Sequence, residues 1–162
     1  MLVAKILEFE EGFRERPYLC SEGYVTIGYG FKLHTDQGLD PEKFLVRVSR
    51  ETATEWLNSE LSNIQDALMR SHVGGVDGIY HQLRAFPNRR AIILSMAYQM
   101  GVQGTLNFHG MWAAIALNNW EDAAKEMLDS KWARQTPERA ERHATVMRTG
   151  ILTSAYPRGT IQ

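Results

Sequence analysis

Three side chains near the start of the chain have the chemistry to act on one substrate: the carboxyl of Glu11, the thiol of Cys20 and the hydroxyl of Thr26. Glu11 precedes Gly12 at the predicted end of a helix. The negative end of the helix dipole disfavours an ionised carboxyl there, which suits a general acid. Cys20 falls in a turn with Ser21, Glu22 and Gly23. A thiol so placed can activate water once ionised, attack carbon directly, or serve as a polar filler, and the sequence leaves these three roles open. Thr26 lies in an alternating strand, with Tyr24, Gly28 and Gly30 on its face and Val25, Ile27 and Tyr29 on the other. A hydroxyl on a surface cleared by glycines can hold water or touch a ligand.

These groups need elements to position them. Leu2, Ile6, Phe9 and Phe13 recur at helical spacing in the first residues, so an amphipathic helix delivers Glu11. From Tyr18 to Phe31 the chain is β-branched or aromatic and broken by Gly23, Gly28 and Gly30, the pattern of short antiparallel strands. Trp56, Leu57, Leu61, Ile64 and Leu68 then predict one long helix over 52–73, started by Thr52 with Glu55 at capping-box spacing and ended before Gly74-Gly75. Further helices are expected near 77–85, from about Asn88 to Gly101, and over 108–117 and 120–130. A last one opens at Thr136-Pro137-Glu138. The segment with Ile92, Ile93 and Met96 is apolar enough to be central.

The fold expected is α+β over a single domain, 1–162. Residues 13–51 would make a small antiparallel β-hairpin lobe and 52–73 a long connecting helix. Residues 1–12 and 74–162 would make a larger all-helical lobe, with the site in the cleft between the lobes. At 162 residues, with 44% hydrophobic and 23% charged side chains, the chain can bury a core of its own. Its 18 basic and 19 acidic residues supply no field for nucleic acid, and Arg84, Arg89 and Arg90 alone make only a solvated basic face. A single cysteine excludes an internal disulfide. No run approaches the roughly 20 apolar residues of a membrane span, and the N-terminal helix lacks the form of a signal peptide. No His/Cys/Asp/Glu grouping has metal-ligand spacing, and no cofactor is expected.

The motifs Glu11-Gly12, Cys20, Glu22-Gly23, Thr26-Ile27-Gly28 and Gly30 resemble the active-site signature of the T4-type phage lysozymes, glycoside hydrolase family 24. Similarity continues at Tyr98-Gln99-Met100-Gly101, Trp120 to Ala124, Trp132, Gln135-Thr136-Pro137, Arg139-Ala140 and Arg148-Thr149-Gly150. The resemblance implies a lysozyme-like fold and hydrolysis of the β-1,4 bond between N-acetylmuramic acid and N-acetylglucosamine in peptidoglycan, for host cell lysis. Glu11 would protonate the glycosidic oxygen, while Cys20 and Thr26 would position or activate water on the opposite face of the sugar, with inversion. Inversion implies catalytic groups ~6.5 to 9.5 Å apart for a carboxylate pair.

The resemblance also implies substrate contacts at Lys32, Tyr98, Met111 and Glu126, and a supporting Arg139 paired with Glu11. Residue types at Lys32, Met111 and Glu126 differ from those of the best-known member. Cys20 stands where aspartate is commoner, and Phe31 where many relatives place histidine. A thiol with an ordinary pKa of about 8.5 is mostly neutral at pH 7, so oxidation and alkylation of Cys20 are expected to reduce activity. By family analogy the protein is a monomer without stable membrane insertion. It would accumulate in the cytoplasm of the infected bacterium and reach the periplasmic wall through a holin. Two other readings compete. One is a peptidoglycan-binding module that keeps the fold and has lost turnover. The other is a cysteine peptidase pairing Cys20 with His34, which lacks an orienting third residue.

Overall fold

The structure is a computed structural model that describes residues 2–71 and 76–161. Among the described residues it is mostly helical, with one three-stranded antiparallel sheet in the order β1-β2-β3, an α+β architecture of the expected lysozyme-like kind. Contacts divide the chain into two compact units, Val3–Glu60 and Leu61–Gln162, with Leu2 grouped in the second.

In the first unit, helix α1 (Leu2–Glu11) stops where Gly12 takes φ +67° and donates its N–H to the Glu8 carbonyl at 3.2 Å. That left-handed residue is a helix C-terminal signal that glycine adopts without a Cβ penalty. Strands β1 (Arg14–Leu19), β2 (Tyr24–Gly28) and β3 (Phe31–Gln37) follow. Val25, Ile27 and Tyr29 are buried, as the alternation requires, and Thr26 is buried with them. Gly28 lets the sheet approach helix α2 (Arg50–Arg70): a Cβ there would meet that of Ala53 at 3.3 Å. Arg50 clasps the corner by donating to the Tyr29 hydroxyl at 3.0 Å while its guanidinium lies 4.5 Å over the Phe13 ring.

Two expectations shift. A hairpin becomes a three-stranded sheet because β3 runs on through His34, Thr35 and Asp36, residues too polar to announce a strand. Helix α2 starts at Arg50, since Ser49 and not Thr52 accepts the first free amide: the Thr52 N–H donates to Ser49 Oγ at 3.1 Å. Its described end is Arg70, and the end expected before Gly74-Gly75 falls outside the described residues. Contacts group all of α1 except Leu2 with the strands.

The second unit is all helical among its described residues. Helix α3 (Val76–Gln82) and a 3-10 turn at Leu83–Ala85 lead to α4 (Pro87–Met100). All seven residues Ala91–Ala97 of α4 are buried, so it is central as its composition predicts. After α5 (Val102–Leu106) and α6 (His109–Ala116), helix α7 (Trp120–Leu128) packs on α9 (Pro137–Thr149), their buried faces carrying Ala123, Ala124, Ala140 and Ala144. Such small residues let helix axes come close. Between them α8 (Lys131–Gln135) is capped by Ser130, whose Oγ accepts from the Ala133 N–H at 3.0 Å. Thr136 makes no side-chain cap to α9 and donates instead to the Trp132 carbonyl at 3.1 Å. A 3-10 turn at Leu152–Ser154 and the short α10 (Arg158–Ile161) end the described chain. No described helix is long and apolar enough to cross a membrane.

Candidate active site

Glu11 is the last residue of α1, and the turn at Gly12 leaves its side chain half-buried rather than sealed within the helix packing. Its carboxylate lies over Gly30, the residue that reverses the chain between β2 and β3 with φ +88°. A Cβ on Gly30 would stand 3.5 Å from Glu11 Oε2.

Cys20 opens a four-residue turn closed by the Gly23 N–H donating to the Cys20 carbonyl at 2.9 Å, with Gly23 at φ +79°. The Cys20 N–H donates to the Tyr24 carbonyl at 3.0 Å, so the thiol is fixed at the head of the hairpin. Partial burial pushes the thiol pKa up. The backbone N–H groups of Tyr24 and Glu22, with the Thr26 hydroxyl, oppose this by hydrogen bonding to the sulfur and hold it below its ordinary value. Thr26 is only 2% exposed and places its hydroxyl 2.9 Å from the Tyr24 carbonyl. Having one proton, that hydroxyl serves the carbonyl or the sulfur in turn.

Cross-strand register extends the site in both directions. Tyr18 is opposite Thr26 in the β1–β2 pairing, and Lys32 is opposite Thr26 in the β2–β3 pairing. Directly opposed residues share a face of the sheet, so Tyr18, Thr26 and Lys32 form a row across it. Burial pushes the Tyr18 phenol up, and the nearby charges of Glu11 and Cys20 add to this against Arg14. The phenol therefore stays protonated within electrostatic reach of both candidate catalytic groups. The sequence reading uses Tyr18 only as a strand residue, although its i, i+2 relation to Cys20 already puts the two on one face. Lys32 is exposed, with its ammonium 3.8 Å over the Tyr24 ring and 3.2 Å from Glu22 Oε2. Phe31 makes an edge contact with Trp56 at 5.6 Å.

The remaining predicted positions belong to the second unit. Tyr98 is half-buried on α4. Met111 and Glu126 come together in a groove of about 380 Å³, lined also by Phe108, His109 and Trp132. Met111 is fully buried at its floor and Glu126 is exposed, its carboxylate lying against Gly110. Arg139 is 7% exposed and donates through Nη2 to the carbonyl of Ser95 at 3.3 Å and its hydroxyl at 3.2 Å.

Ser95 leads to a buried polar chain that sequence reasoning misses. His143 Nε2 lies 2.8 Å from Ser95 Oγ, and the Tyr156 hydroxyl lies 3.0 Å from His143 Nδ1. Burial, with the charges of Arg139 and Arg142, pushes the His143 pKa well below the usual imidazole value and keeps the ring neutral. Among the described residues no group of three or more His, Cys, Asp or Glu is arranged to hold a metal ion.

The chain is 32% identical over 170 residues to the pre-baseplate central spike protein of Enterobacteria phage T4, a match covering 95% of this chain and 29% of that protein. It thus spans less than a third of the spike protein's length. It is 29% identical to the Dictyostelium discoideum protein named "Probable T4-type lysozyme 1", over 95% of this chain and 97% of that one. A second such Dictyostelium protein, "Probable T4-type lysozyme 2", is 26% identical over 91% and 94% of the two chains. The phage lysozyme family model matches residues 8–147, a stretch that contains Glu11, Cys20, Thr26 and Arg139, and the chain belongs to that family.

Proposed function

We propose that the protein is a muramidase: it hydrolyses the β-1,4 bond between N-acetylmuramic acid and N-acetylglucosamine in peptidoglycan. The observation that carries this reading is the arrangement in the first unit, where a glutamate carboxyl is set beside a glycine turn and a thiol is hydrogen-bonded at the head of the same small sheet. Glu11 gives its proton to the glycosidic oxygen as the C1–O bond breaks. A water held by Thr26 and Cys20 attacks C1 from the other face, and the water's proton passes to the Cys20 thiolate. The step inverts the anomeric centre, and exchange with solvent then returns a proton to Glu11 and removes one from Cys20. The lowered thiol pKa supports Cys20 as the base, because it enlarges the thiolate fraction near neutral pH.

Lys32, Tyr98, Met111 and Glu126 are proposed as substrate contacts, and Arg139 as a support for Glu11, tested by titrating Glu11 in the wild type and in Arg139→Ala. Clearing of purified Gram-negative peptidoglycan by the wild type and by Glu11→Gln, with released reducing ends counted, tests the whole reading. Clearing and new reducing ends that vanish in Glu11→Gln support it. A folded wild type that binds the wall and releases no reducing ends replaces it with the wall-binding module.

In the biological setting proposed, the protein gathers in the cytoplasm of the infected bacterium as a monomer, and lyses the host once a holin opens the membrane. Similarity to the central spike protein favours a second setting, in which the same activity forms part of a phage particle. Finding the polypeptide in purified virions, or only in the lysate, separates the two.

A further inference from the structure

Lys32, proposed above as a substrate contact, forms with Tyr24 and Glu22 a cluster beside Thr26 that takes no part in the bond-breaking step. The ammonium is fixed from two sides: it stacks on the Tyr24 ring at 3.8 Å and meets Glu22 Oε2 at 3.2 Å. Both charged side chains are largely solvent-exposed, 51% for Lys32 and 67% for Glu22, so the pair is weak and open to exchange with a competing carboxylate.

It is not needed to hold the hairpin. Gln37 Nε2 already donates to the Glu22 carbonyl at 2.9 Å, and the Gly38 N–H donates to the Gly23 carbonyl at 2.8 Å. The tyrosine face is the more durable partner, since a cation over a ring keeps its place when the anion beside it changes. Register pairs Lys32 with Thr26 across the β2–β3 ladder, so the residue that carries this ammonium lies one strand from the proposed water site.

We propose that Tyr24 and Lys32 form an anion subsite that takes a free carboxylate of the glycan-linked substrate, with Glu22 occupying the place of that carboxylate until substrate binds. The proposal rests on the muramidase reading and adds a substrate class to it: peptide side branches ending in free acids rather than amides. The carboxylate can belong to the peptide or to the lactyl group of a muramic acid that carries no peptide.

Three soluble glycan substrates decide between these: one with free-acid peptides, one with the same peptides amidated, and one stripped of peptide. The wild type is expected to show kcat/KM about 2- to 5-fold higher on the free-acid form than on the amidated form, the range of an exposed ion pair. Added salt should erode this preference. Lys32→Met should bring the ratio to one, and Glu22→Gln should raise it by lowering KM on the free acid alone. Faster cleavage of the peptide-free glycan than of the amidated form, with free-acid and amidated peptides cleaved equally, assigns the lactyl group as the source. Equal rates on all three substrates in the wild type, or a preference unchanged in Lys32→Met, overturn the subsite. If no substrate is cleaved, the muramidase reading fails by itself. Equilibrium binding of the same three glycans to the wild type and Lys32→Met then decides the subsite by the same ratio.

Discussion

The Glu11 carboxylate lies over the backbone of Gly30, where an added methyl would touch Oε2 at 3.5 Å. Gly30 also holds φ +88°, so Gly30→Ala combines backbone strain with a group placed against the proposed acid. Gly38 supplies the control: its φ is +72° and nothing lies within 4 Å of its missing Cβ. Each alanine is expected to cost about 1–2 kcal/mol of stability from the left-handed backbone. Only Gly30→Ala should also lower kcat, by about 10-fold, because relief of the left-handed strain shifts the turn beneath the proposed acid, the methyl itself meeting Oε2 at an ordinary contact distance. Urea unfolding beside reducing-end assays separates the two effects, and equal kcat in both variants would remove Gly30 from the site.

As the proposed base, Cys20 should set the acid limb of the pH profile. A base acts only when deprotonated, so activity rises as pH climbs through the thiol pKa. Hydrogen bonds to the sulfur hold that pKa below its ordinary value, which moves the limb toward lower pH. Thr26→Val removes one of those bonds and should move the limb upward, whatever it does to the maximum rate. Cys20→Asp should move it down by several pH units, since an ordinary aspartate titrates near about 3.9. Iodoacetamide should inactivate the wild type and spare Cys20→Asp. Full activity after alkylation confirmed by mass would leave Cys20 a spectator.

The parts of this site that could be read from the sequence are those where geometry permits few residue types. Gly12, Gly23 and Gly30 all have positive φ, a demand that marks the helix end, the turn and the strand reversal in the sequence itself. What stayed hidden depends on register or on distant pairing. The row Tyr18, Thr26, Lys32 exists only once the strands are aligned. Ser95 and His143 meet across 48 positions, and no local pattern announces that. Ser49 and Thr52 both suit the cap of α2, and the structure resolves them by which oxygen faces the free amide.

His143 links stability to pH. Its pKa is depressed in the folded protein, so the unfolded chain binds a proton that the native state refuses once pH falls below the ordinary imidazole value of about 6.5. The contribution from keeping this ring neutral is fully present above that value. It is lost as pH falls from there toward the folded pKa, with a slope of at most about 1.4 kcal/mol per pH unit. Urea titrations between pH 7 and pH 5 should show the wild type weakening more steeply than His143→Gln, which cannot titrate. Parallel slopes would mean the ring is charged, or exposed, in the native state.

Arg89 holds the second unit together at the end of α9. Its Nε donates to the Met147 carbonyl at 2.7 Å and its Nη2 to the Arg148 carbonyl at 3.2 Å, while the guanidinium lies 4.1 Å over the Trp120 ring. One planar cation therefore satisfies two carbonyls at a helix C-terminus and ties α4, α7 and α9 at one point. A lysine cannot repeat this, because a single ammonium lacks the fork and the flat face. Arg89→Lys is expected to cost about 1–3 kcal/mol, close to the loss in Arg89→Ala, since both strand the carbonyls. Gly150→Ala should be similarly costly, because its Cβ would stand 2.9 Å from Arg89 Nη1 and its φ is +73°. Combining Arg89→Ala with Gly150→Ala removes that clash, so the double variant should lose less than the sum of the singles. Strict additivity in urea unfolding would show that the two residues do not share one packing site.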